Sequence, residues 1–186
     1  MNKNNTNTII AIFLVLIAAT ARVGSASLQL PNFVPIAAIS LFSGAILKEK
    51  RALAFLIPLL GQFLADVYFQ FFTFVPGFYW AVDQLFTYGA IAAAAGLGLT
   101  MKQQKPMSIL GYTLGASGIF FVVSNFGYFA HGWNGYTFQG LVKTYIDAIP
   151  FYKNSFIADM AGSILLFGTY ILFLHDAATK TQDVKA

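Results

Sequence analysis

Gln62, Asp66 and Gln70 recur at every fourth position of an otherwise apolar stretch, a spacing that places all three on one face of a helix. Further along, Trp80, Asp83 and Gln84 open a second apolar stretch, and Ser124, Asn125 and Tyr128 close a third. Asn154, Ser155 and Asp159 open the last one, while Arg22 ends the first and Asn32 precedes the second. Ionisable groups inside apolar segments are costly, so each needs a partner or a ligand. Asp66 and Asp159 lie one to two turns inside their segments, where pairing with Arg22 and direct contact with a ligand are equally good readings. Asp83 and Asn154 lie near segment starts and also read as capping groups facing water. Trp80, Tyr79 and Trp133 also read as interfacial aromatics. His131 stands alone and reads as solvated.

These residue types suit binding better than covalent chemistry. The chain has no cysteine, no HExxH, no GxSxG and no phosphate loop, so no enzymatic activity, cofactor or metal site is expected. Two intramembrane aspartates can share a proton and hydrolyse peptides. The flanks Leu64-Ala65-Asp66-Val67 and Ile157-Ala158-Asp159-Met160 lack the glycine expected beside such acids.

The elements that must position these groups follow from composition. Charged residues are 10% of the 186, against about 25% in soluble domains, and mean hydropathy is +0.68. That excludes soluble enzymes, nucleic-acid binders and disordered chains, because the surface of a soluble globule cannot be built from so few charges. The formal charge of +4 is too small and too scattered to track phosphates. An all-α membrane bundle is expected, as one transmembrane domain over residues 1–186. Its six helices fall near 6–24, 33–47, 52–75, 78–100, 107–129 and 156–174, since a span needs about 20 apolar residues. The second is short and proline-bounded at its entrance, so it reads as a short span or a re-entrant piece. Between the last two spans, residues 137–149 place Phe138, Leu141, Tyr145, Ile146 and Ile149 on one face, giving an amphipathic external helix.

Basic residues orient the bundle. With the N-terminus inside, the cytoplasmic side carries eight: Lys3, Lys48, Lys50, Arg51, Lys102, Lys105, Lys180 and Lys185. The outer side carries three, Arg22, Lys143 and Lys153, so both termini are expected in the cytoplasm. The polar residues named above then fall in the outer half, around a cavity open to the outside. Lys3, the apolar stretch 9–19 and Gly24-Ser25-Ala26 imitate a signal peptide, but Arg22 lies where a cleavable one is uncharged. Small residues in 90–98 and in 111–118, including Gly111 and Gly115, permit close helix packing or the docking of a partner.

The stretches Leu30-Pro31-Asn32-Phe33-Val34-Pro35-Ile36-Ala37, Leu59 to Asp66, Ser124-Asn125-Phe126-Gly127 and Ala148-Ile149-Pro150-Phe151-Tyr152-Lys153-Asn154-Ser155 resemble a family of small bacterial six-helix membrane proteins. In size, helix plan and external site that family is similar to the S components, the substrate-binding subunits of energy-coupling factor vitamin transporters. The resemblance implies a transport protein of the bacterial inner membrane that takes a vitamin or other micronutrient at its outer face and carries it inward. The ligand cavity is then expected between Asn32, Phe33, Asp66, Trp80, Asp83, Asn125, Tyr128, Asn154 and Asp159, with Phe126 adding apolar area and Arg22 as the structural ion-pair partner. Expected partners are membrane lipid, the small molecule and an energising transporter module, but no nucleic acid. S components usually dock on that module through an alanine-rich face of the first helix. Ala11, Ala18, Ala19 and Ala21 form no clean Ala-xxx-Ala here, which leaves the energising module open. The alternative is a non-transporting membrane subunit or assembly factor that binds a partner through its small-residue faces.

Overall fold

The computed structural model describes the backbone of residues 3–73 and 82–183, and the side chains of 13–73 and 82–172. Among the described residues six helices follow one another: α1 (Lys3–Ser27), α2 (Ile36–Ile46), α3 (Arg51–Phe72), α4 (Val82–Thr100), α5 (Pro106–Ala130) and α6 (Phe138–Asp183). A single 3-10 turn, Lys48–Lys50, joins α2 to α3, and no strand occurs among the described residues.

The order of burial follows from sequence pattern. α2 has no polar face, and a helix apolar all round belongs inside. Every residue from Ile36 to Ala45 is buried, and α2 packs against each of the other five helices. The surrounding helices expose large apolar side chains such as Phe71, Phe72, Leu85, Met107, Ile164 and Leu165. Outward apolar side chains around a buried centre are the arrangement of a bundle solvated by lipid. Among the described residues four segments, Lys48–Phe72, Val82–Thr100, Pro106–Ala130 and Phe138–Leu172, are long and apolar enough to cross a membrane, which supports a helical membrane protein.

Small residues bring the helices together. A side chain at Gly44 would run into the carbonyl of Ala95, and one at Gly98 into that of Leu41, so α2 and α4 cross backbone to backbone. Gly61 does the same for α3 against Ala18 of α1, which turns that alanine inward. Phe42 then meets Phe167 and Tyr170 of α6 edge-on, with ring centroids 5.0 and 5.8 Å away.

Two features refine the helix plan. With 11 residues, α2 rises only about 16 Å, about half of the hydrocarbon thickness. It starts inside the bundle, after an irregular segment, residues 28–35. The expected amphipathic helix near 137–149 and the expected last span near 156–174 are one continuous element, since α6 runs for 46 residues through Pro150. A proline removes one backbone donor and crowds one carbonyl, which bends a helix rather than ending it when the flanking residues stay helical. No glycine stands between 141 and 161 to stop it.

Candidate functional site

At the end of the bundle where α3 finishes and α4 starts, one carboxylate gathers three donors. Arg22 Nη2 of α1 donates to Asp66 Oδ1 at 3.0 Å. Gln62 Nε2, one turn back on α3, reaches both oxygens at 3.2 and 3.3 Å, and the Tyr88 hydroxyl of α4 donates to Oδ2 at 2.8 Å. Asp66 is fully buried, whereas the Arg22 side chain keeps 20% of its surface exposed and lies 5.7 Å above the Phe69 ring. The ion pair with Arg22, one of the two readings of Asp66, is present. Such a buried charge is stable because its lone pairs are filled from several directions.

The Asp66–Tyr88 bond also sets the register of antiparallel α3 and α4. One turn outward, Gln70 on α3 therefore stands level with Gln84 on α4. The side-chain oxygens Gln70 Oε1 and Asp83 Oδ1 are buried without a hydrogen bond. Asp83 faces His131 of α5, with 3.5 Å between Oδ1 and Nδ1, and the His131 ring stacks on Trp133 at 5.0 Å. His131 thus has a carboxylate and an indole as neighbours and does not stand alone. Gly127 makes this approach feasible, since a Cβ there would lie 2.9 Å from the Asp83 Cα. Tyr128, half exposed, stands within electrostatic reach of both Asp83 and Arg22, which joins the two groups into one polar end.

Asp159 has a different task. α2 begins after Pro35, whose side chain cannot cap it, so the free amides at its start need an acceptor from elsewhere. Asp159 of α6 supplies it: Oδ1 accepts from the Ala38 amide at 3.1 Å, and the carboxylate sits at the positive end of the α2 dipole. Gly162, one turn along α6, leaves the space that the Pro35 ring fills. Below Asp159 the α5–α6 seam stays polar through the Thr113 hydroxyl, which donates to Ser163 Oγ at 2.8 Å. Ser117 lies beside Asp159 on that seam, although its hydroxyl makes no well-formed hydrogen bond.

The segment before α2 is pinned to α6. Asn154 Nδ2 donates to the Pro31 carbonyl and Ser155 Oγ to that of Asn32, both at 2.9 Å. Asn32 has φ +57°, a left-handed conformation that asparagine tolerates better than most residues. Asn125 Nδ2 donates to the Phe121 carbonyl of its own helix at 2.7 Å. Phe33 is 39% exposed, and Phe126 packs between Phe86 and Phe129.

The structure therefore brings Arg22, Asp66, Asp83 and Tyr128 to one polar end, while Asn154 and Ser155 clasp the carbonyls of Pro31 and Asn32. Asp159 shares no hydrogen-bond partner with Asp66, and Trp80 and Tyr79 lie outside the described residues. Two concavities open on helix surfaces, one lined by Phe138, Val142, Lys143 and Ile146, the other by Leu97, Met107, Gly111 and Gly115. Neither includes a residue of the expected cavity. Tyr88 is the partner that sequence reasoning passed over, although it continues the spacing of four from Trp80 through Gln84.

Residues 2–181 match a family described as a family of unknown function (DUF6580). No curated protein and no solved structure matches the chain.

Proposed function

The chain belongs to that family of unknown function, and from its polar end we propose that it is a transport protein of the bacterial inner membrane, resembling S components, that binds a small molecule at its outer face and carries it inward. The observation that carries this reading is the pair of buried acceptors without hydrogen bonds, Gln70 Oε1 and Asp83 Oδ1, beside the satisfied Arg22–Asp66 network. Buried polar atoms are almost always paired, so two open ones at the same end of a bundle mark the place where a ligand completes the pairing. The excess of Lys and Arg at the end where Lys48, Arg51 and Lys102 lie favours a cytoplasmic position for that end and both termini. α1, α2 preceded by its irregular segment, and the four long helices then make six membrane-embedded segments.

Asp66, Asp83 and Tyr128 remain in the proposed site, joined by Gln70, Gln84 and His131. Asn32, Asn154 and Asp159 hold α2 in place and act on the ligand only through that. The test is native mass spectrometry of the gently purified protein. A small molecule bound one to one, and released by Asp83→Asn with elution and helicity unchanged, is the expected result. A protein without small molecule that instead copurifies with a stoichiometric membrane partner overturns it. That outcome favours the second reading, a non-transporting subunit, for which α5 offers Gly111 and Gly118 with no neighbour within 4 Å of an added Cβ.

A further inference from the structure

On the reading that this polar end is a ligand site, we infer that it takes an organic cation bearing N–H donors, such as a protonated amine or amidine, held by Asp83 and Gln70. The charge balance at this end decides the sign. The guanidinium of Arg22 is matched by Asp66, whose oxygens also accept from Gln62 and Tyr88. Asp83 is then the remaining fixed charge, and the group facing it is an imidazole that carries charge only when protonated. With His131 neutral the cluster of Arg22, Asp66 and Asp83 has a net charge of about −1 in a partly dehydrated place, where the attraction for a cation is stronger than in water.

Hydrogen bonding points the same way. Two acceptors at this end make no hydrogen bond, the amide oxygen of Gln70 and the carboxylate oxygen of Asp83 that His131 Nδ1 approaches only to 3.5 Å. An anion would be repelled by the Asp83 carboxylate, whereas an ammonium or amidinium offers two or three donors from a single group. The Tyr128 and Trp133 rings are half or more exposed beside Asp83 and His131, and present π faces on which a cation is also stabilised. A carboxylate ligand, by contrast, finds its natural counter-ion already taken.

Three probes of one shape separate the possibilities at neutral pH: benzylammonium, benzyl alcohol and benzoate. Thermal unfolding of the purified full chain in detergent, followed by tryptophan fluorescence, is expected to show saturable stabilisation by benzylammonium and none by the other two. Asp83→Asn should weaken benzylammonium about tenfold or more, and Gln70→Leu about threefold. Circular dichroism and the elution profile of each variant report folding separately. Equal or stronger stabilisation by benzoate or benzyl alcohol, or an unchanged affinity in both variants, overturns the cation assignment. If no probe stabilises but the protein retains a neutral or anionic molecule that Asp83→Asn releases, the ligand class falls and the site stands. If it retains nothing at all, the site falls as well.

Discussion

Removing the carboxylate of Asp159 should loosen the centre of the bundle, because α2 depends on it for the start of its hydrogen-bond ladder. In Asp159→Ala the Ala38 amide, which now donates at 3.1 Å, loses its acceptor in a place without water. Loss of a helix cap costs about 1–2 kcal/mol, and a buried donor left unsatisfied about 1–3 kcal/mol. These overlap, so we expect about 3 kcal/mol, which for a chain of this size lowers the unfolding midpoint by about 6–12 °C. Asp159→Asn keeps an oxygen acceptor and loses only the charge facing the helix dipole, worth about 1 kcal/mol or about 2–4 °C. Thermal unfolding in one detergent measures both midpoints, and hydrogen exchange read by mass spectrometry shows whether the amides of 36–40 open first. A shift under about 2 °C for Asp159→Ala, equal damage from Asn and Ala, or unchanged exchange at the start of α2 would refute the capping role.

Two other substitutions test the remaining architecture. Arg22→Ala leaves the buried Asp66 charge without its counter-ion and should destabilise by about 3 kcal/mol, whereas Arg22→Ala combined with Asp66→Asn should recover a measurable part of that loss, so a strictly additive double mutant contradicts the pairing. Gly98→Ala forces a methyl group against the Leu41 carbonyl and should cost about 2 kcal/mol in thermal unfolding, while Gly111→Ala meets open space and should leave stability unchanged or slightly raised.

The stripe Gln62, Asp66, Gln70 was legible because a helix repeats every 3.6 residues and polar atoms in an apolar stretch stand out. What each group touches was not legible, because contact depends on residues distant in sequence. Asp66 meets Arg22 across 44 positions, the Asp159 oxygen meets the Ala38 amide across 121, and Asn154 meets Pro31 across 123. Two acids that look alike in sequence therefore separate, one into an ion-pair network and one into a cap. The gap expected between residues 149 and 156 is absent for another reason: the helical residues on both sides of Pro150 carry α6 through it.

Composition and period, which are properties of neighbouring residues, determined by themselves that the chain is helical and that it is too apolar for water. They also located the few polar residues that had to be explained. Only the tertiary structure decided that α2 is the centre rather than one span among six, because a glycine-lined crossing at Gly44 and Gly98 admits it there. It alone decided which carboxylate is satisfied and which oxygens stay open, since the energy of a buried polar group is set by the partners that packing brings within 3 Å.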